Sequence, residues 1–238
     1  MITAQDITRE LQTLGNKKKA AGLQRFFQTQ PGGYGEGDLF IGVSVPTQRK
    51  LAGRVYRQVS PGEIARLLGS EIHESRLTGV FILVLQFEKA KGEEQARELV
   101  NVYLDNLEGI NNWDLVDSSA YKILGPWLID KDKSMLYSMA RSKNMWVQRI
   151  AVTGCLYFIR NHQFDDILRL SEMLLDHPHD LIHKAVGWML REVGKRNYQV
   201  EYGFLKKHYR QMPRTMLRYA IEQFDDEVRK GFLQGTIV

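Results

Sequence analysis

The stretch Asn111, Asn112, Trp113, Asp114, Leu115, Val116, Asp117 sets an indole and a carboxylate four residues apart. Asn is a favoured N-cap and Asp114 falls where a negative charge suits the helix dipole, so a helix is expected to open at Asn111 or Asn112. On that helix Trp113 and Asp117 share a face. Such a pair attracts a cation, the ring through its quadrupole and the carboxylate through its full charge. A core Trp with a capping Asp elsewhere on the helix gives the same letters, so the weight falls on what surrounds the pair.

The chain that must position it has 238 residues, of which 43% are hydrophobic and 26% charged, an ordinary globular composition. Lys and Arg number 33 against 28 Asp and Glu, a net charge of +5 that leans towards an anionic partner. The single cysteine, Cys155, excludes an internal disulfide and a cysteine-based zinc site, and its apolar run from Ile150 to Ile159 marks it as core. The first residues, MITAQDITREL, are amphipathic rather than basic then apolar, so no signal peptide is expected. No apolar run approaches the ~18 residues that a membrane span needs. The expectation is a soluble cytoplasmic protein with no membrane partner.

Helical periodicity accounts for nearly all of the chain. Two helices are expected in 4–30, divided at Gly15 and Asn16, and others from Pro46, Ser60, Ile72, Gly92, Asn111, Lys131, Asn144, Gln163, His179, Asn197 and Pro213. The glycine-rich segment from Gln30 to Pro46 lacks the Gly-Lys-Ser/Thr of a phosphate loop and reads as a tight connection. No strand is expected. About a dozen helices in antiparallel pairs, without a composition break, point to one all-α body over 1–238.

The pairs repeat. Arg76, Val116, Arg149, Lys184 and Arg218 stand near the start of the second helix of successive pairs, at spacings of 40, 33, 35 and 34 residues. A period in the mid-thirties marks a helical solenoid, whose equivalent positions line one surface. Arg76, Arg149, Lys184 and Arg218 are then expected to form a basic track, widened by Arg191 and ended by Arg214, with Asp117 beside its centre. A file of basic side chains in a concave groove suits a phosphodiester backbone. Pairing with neighbouring acids such as Glu74, Asp180 and Glu192 is an equal reading for any one of these residues, though less so for the set.

Trp188 lies four residues after Lys184 on the same face, while Trp146 is better read as core. Asp176, His177, His179, Asp180 and His183 cluster, but without a metal-binding motif they read as helix caps and surface groups, so no metal is expected. Ser118 and Ser119 have no nearby His to activate them.

The segments NNWDLVDSSA (111–120), MWVQRIAV (145–152) and DLIHKAVGWMLREVGK (180–195), in this order and at these separations, resemble the AlkD-like DNA alkylation repair family of bacteria. The likeness extends over most of the chain, including FIGVSVPTQR near the N-terminus. It implies a right-handed solenoid of HEAT-like repeats and a monofunctional glycosylase. The implied reaction removes 3-methyladenine and 7-methylguanine from duplex DNA in base excision repair. The implied site has Trp113, Asp117 and Trp188 at the lesion's sugar and Arg149 at the backbone nearby. Lys184, Arg191, Arg218, Arg76 and Lys50 complete the expected DNA-binding set. No cofactor is expected, and the protein is expected to act as a monomer. A non-catalytic DNA binder of the same fold and a protein-binding scaffold stay open as alternatives. The carboxylate favours the enzyme, because in the middle of a basic groove it would repel phosphate.

Overall fold

A computed structural model describes residues 1–237, which are helical apart from turns and loops; the described residues hold no strand, only an isolated parallel bridge between Leu39 and Ile72. None of its helices is long and apolar enough to cross a membrane. The chain divides into two compact units, Met1–Ile123 and Leu124–Val238.

In the first unit α1 (Ala4–Thr13) opens on a capping box, in which Thr3 and Asp6 satisfy each other's backbone amides. Asn16 caps α2 (Lys17–Phe26), after the break expected at Gly15. Ser44 caps α3 (Val45–Val55), with Pro46 in its first turn, and Ser60 caps α4 (Pro61–Leu68). Then come α5 (His73–Glu88), α6 (Glu93–Asp105) after Gly92, and α7 (Trp113–Leu128), within which the division falls. Helix α5 is the centre of this unit. It is buried without interruption from His73 to Val84 and packs on α1, α3, α4 and α6. From Leu77 on it is apolar on nearly every side, and such a helix has no other stable place.

The glycine-rich connection closes over the start of α5. Gly42 holds φ +84°, and a Cβ there would collide with the Asn16 carbonyl. That turn aims the amides of Ile41, Gly42 and Val43 at one carboxylate, Glu74, which accepts from all three at 2.7–3.2 Å. An amide cradle of the kind that binds phosphate is therefore occupied by the protein's own anion.

The second unit holds α8 (Ser134–Ala140), α9 (Met145–Gly154), α10 (Leu156–Arg160), α11 (Asp165–Met173), α12 (Asp180–Gly194), α13 (Tyr198–His208), α14 (Arg214–Ala220) and α15 (Asp226–Gln234). Two helices expected to be continuous are broken. At Cys155 the thiol turns back to the Ala151 carbonyl, as the Thr153 hydroxyl does to that of Arg149, and such back-bonding bends a helix. After α14 the backbone extends at Phe224, which turns its buried ring against Tyr198, Tyr202 and Phe232. Cys155 is core as expected, and burial pushes its thiol pKa well up.

Helix α12 plays in this unit the part of α5 in the first, packing on α9, α10, α11, α13 and α14. The repeat is visible in helix register. Arg76 and Val116 are the fourth residues of α5 and α7; Arg149, Lys184 and Arg218 are the fifth residues of α9, α12 and α14.

The approach of α12 to α14 depends on Gly187, where a Cβ would overlap the Met216 carbonyl oxygen and the Tyr219 Cβ. Gly187→Ala gains helix propensity but must push two backbones apart, at an overpacking cost of about 1–3 kcal/mol. It is expected to lower the thermal midpoint by several degrees in calorimetry. An unchanged or raised midpoint contradicts this close packing.

Candidate functional site

Helix α7 starts where it does because Asn112 caps it. Its Oδ1 accepts from the Trp113 amide at 2.9 Å, and its carbonyl accepts from the Val116 amide at 3.1 Å. The same side chain is fixed from behind, its Nδ2 donating to Asp38 at 3.1 Å. Asp38 is buried among Asn112, Arg76 and His73, and ion-pairs with Arg76.

His73 is the centre of this network. It is 1% exposed, with Nδ1 2.9 Å from Asp38 and Nε2 2.8 Å from Asp114. Each ring nitrogen faces a carboxylate, so both must carry protons and the ring is an imidazolium. Burial pulls the His73 pKa down, but the hydrogen bonds to Asp114 and Asp38 outweigh it and leave it raised. Burial pushes Asp38 up, and His73, Arg76 and Asn112 together hold it below its usual value. The other oxygen of Asp114 accepts from the Leu115 amide at 2.9 Å.

Trp113 is braced by a column of rings. It stacks on Phe27 at 5.2 Å and 12°, Phe27 on Phe40 at 4.9 Å and 23°, and Phe40 on His73 at 4.3 Å and 24°. The column ends on a cation, which an aromatic face favours. Phe26 meets Trp113 edge-on at 6.0 Å. One turn further along α7 is Asp117, half-buried like Trp113. Burial, and with it the charge of Asp117, raises the pKa of the Tyr103 phenol, against a 3.0 Å hydrogen bond to Ser119.

The basic residues fare differently from one another. Arg76 requires a correction: it is 3% exposed, ion-paired to Asp38 and donating to the Ser70 and Glu71 carbonyls, so its charge serves the interior and not a DNA track. Arg149 is 5% exposed and donates to the Leu181 carbonyl at the start of α12. Lys184 is half-exposed and pairs with Asp180 at 2.8 Å, and Arg191 pairs with Glu222. Lys50, Arg214 and Arg218 are exposed, Arg214 donating to the Leu233 carbonyl at 2.8 Å. Trp188 is half-buried on α12, and Trp146 is buried.

The histidine cluster organises the opening of α12. His179 caps it, accepting from the Leu181 amide at 3.1 Å; His177 accepts from the His179 amide and donates to Gln148 at 2.8 Å. Burial holds the pKa of both rings down, which suits neutral imidazoles that accept. Gln148 and Arg149, adjacent on α9, thus hold the α12 entrance, Gln148 through the His177 ring and Arg149 through the Leu181 carbonyl. Among the described residues no group of three or more His, Cys, Asp or Glu is placed to hold a metal ion.

Sequence reasoning missed Asp38 and His73. Asp38 lies in a loop without periodicity, and its partners are 35, 38 and 74 positions away, beyond any local pattern. His73 left one signal, a histidine opening a helix that has no side-chain cap and turns mainly apolar from Leu77.

The family described as DNA alkylation repair enzyme matches residues 7–224 of this chain. Among solved structures, a chain titled as a predicted DNA alkylation repair enzyme from Enterococcus faecalis superposes with a TM-score of 0.68 at 17% identity. The match covers 89% of this chain and 97% of that one, and at such identity it establishes the fold alone. No curated protein matches the chain by sequence.

The two shifted groups set a pH window for the network. His73, with its raised pKa, contributes fully below its unfolded value near 6.5 and loses that contribution as pH rises through its folded value. Asp38, with its lowered pKa, contributes above 3.8 and loses that as pH falls through its folded value. His73→Gln is therefore expected to cost about 3 kcal/mol near pH 5.5. In urea melts the gap from wild type should narrow as pH is raised beyond His73's folded pKa. A gap independent of pH would show that the imidazolium is not what binds the two carboxylates.

Proposed function

The chain belongs to the DNA alkylation repair enzyme family, and within it we propose that the protein is a monofunctional glycosylase. Its reaction is hydrolysis of the N-glycosidic bond of N3- and N7-alkylated purines such as 3-methyladenine and 7-methylguanine in duplex DNA. The observation that carries this reading is the place of Asp117, one turn along α7 from a Trp113 braced by stacked rings. Asp38 and Asp114 are both engaged by the His73 imidazolium, and Asp114 further by an amide. Asp117 follows Trp113 by one turn of α7 and is the carboxylate proposed to act.

Glycosidic cleavage builds positive charge on the sugar, and a glycosidase ordinarily needs a second carboxyl to protonate the leaving group. Asp38 is held ionised, and His73 has both N–H groups committed, so neither can serve as that acid. A purine alkylated at N3 or N7 already carries a positive charge and leaves neutral without one. A single carboxylate then suffices, stabilising the sugar cation or orienting the attacking water. Trp113 adds cation–π attraction of about 0.5–2 kcal/mol, and Trp188 on α12 is proposed as a second aromatic contact. Lys184, Arg191, Arg218 and Lys50 are proposed to meet phosphates. Arg149 is proposed to do so near the lesion while holding the entrance of α12.

Single-turnover release of free base from one alkylated duplex tests this reading. Wild type is expected to release 7-methylguanine and not uracil, hypoxanthine or 8-oxoguanine. Asp117→Asn should slow release about 10²-fold with little loss of DNA binding, and Trp113→Ala should cost less. Efficient excision of a neutral base, or an Asp117→Asn variant as fast as wild type, would refute the assignment. Binding without any release identifies a DNA-binding protein that has lost the chemistry.

A further inference from the structure

Helix α2 (Lys17–Phe26) is made against ordinary helix rules. Lys17, Lys18 and Lys19 occupy its first turn, where the dipole disfavours cations, and no acidic residue follows in its ten residues. Among the described residues none of these lysines, nor Arg25, has an ion-pair partner, and none of the helix's residues is fully buried. Gly22 sits in its middle, exposed, at a helix-destabilising position, yet a Cβ there would meet nothing within 4 Å. No contact inside the protein requires that glycine. At the other end Phe26 is 63% exposed although its edge rests on Trp113.

These features share one side. At 100° per residue, Lys18, Lys19, Gly22, Arg25 and Phe26 fall within an arc of roughly 120°. The half-buried Ala20, Leu23 and Gln24 form the other side, to which Lys17 also points. The exposed side therefore carries three uncompensated cations, a gap in side-chain cover at Gly22, and an apolar ring against the aromatic proposed to contact the substrate.

We propose that this side of α2 is a DNA-backbone contact surface. Lys18, Lys19 and Arg25 take phosphates, Gly22 lets the backbone approach the helix closely, and Phe26 acts as a positioning residue that abuts the nucleotide next to the lesion. Glycine is the residue that permits close approach of another backbone, and apolar side chains at DNA surfaces wedge against base steps. The inference rests on the glycosylase reading and names a part of the DNA site outside the repeated basic positions. The ~10 Å of helix axis from Lys19 to Phe26 corresponds to about three base-pair steps, so cations and ring engage one continuous stretch of strand.

The test is fluorescence anisotropy on a duplex containing 7-methylguanine across a salt series, with base release followed in parallel. Replacing Lys18, Lys19 and Arg25 together by Gln should reduce the magnitude of the salt slope by about 2.7, at 0.9 per phosphate contact, while Lys17→Gln leaves it unchanged. Gly22→Ala should move two properties in opposite directions, raising the thermal midpoint by about 2–4 °C and weakening binding several-fold. Phe26→Ala should slow release about tenfold with an unaltered salt slope, and Phe26→Tyr should restore it. Wild-type slope in the triple variant, together with wild-type binding by Gly22→Ala, overturns the α2 surface while leaving the glycosylase reading intact. A wild-type protein that neither binds duplex nor releases base overturns both.

Discussion

An imidazolium buried between two carboxylates is the constraint on which the first unit depends. Taking one cation and two anions out of water costs several kcal/mol per ion, and the arrangement is tolerable only if each lone pair and proton is matched. Here the matching is nearly complete: Arg76 and Asn112 take what His73 leaves of Asp38, and the Leu115 amide takes the second oxygen of Asp114. Because the partners come from the glycine-rich loop, α5 and α7, the network fixes the start of α7 relative to the core helix. Removing one partner would strand the others, so the geometry is all or nothing. The aromatic column from His73 to Trp113 carries that rigidity outward to the indole.

Two anion-binding devices in this unit are turned inward. The cradle of amides at Ile41, Gly42 and Val43 holds Glu74, and Arg76 holds Asp38. From sequence Arg76 reads as a phosphate contact and the glycine-rich segment as a tight connection, and both are used to anchor the loop to the opening of α5. The second unit anchors its own core helix through the neutral His179, His177 and Gln148, with the Arg149 guanidinium on the Leu181 carbonyl. The chemistry proposed for the protein follows from the first arrangement more than from its basic charge. The locked carboxylates fix the start of α7, and with it Trp113 and, one turn on, the Asp117 proposed to act.

Helix boundaries were the most legible feature, because they are written locally. Pro46, Ser60 with Pro61, Gly92, Asn112 and His179 each mark a start that the structure shares within a residue or two. The breaks at Cys155 and Phe224 were not legible, since a back-bonded thiol and a ring turned into the core are tertiary choices made by a locally helical sequence. The repeat of basic residues was legible as register within helices, but register does not say whether a side chain faces solvent. Arg76 and Lys184 stand one position apart in register, yet one is buried beside Asp38 and the other half-exposed beside Asp180. Trp113 and Asp117 could be found from a spacing of four. The groups that brace them could not, because Asp38 and His73 meet only once the loop has folded back over α5.

The central claim is that the reaction runs on one carboxylate with no general acid, and the pH dependence of single-turnover 7-methylguanine release reads this directly. Between pH 5 and 7.5 the account predicts a rate that does not fall as pH rises. A bell-shaped profile, falling on the alkaline side within that range while DNA binding and fold are maintained, would reveal a required proton donor and contradict it.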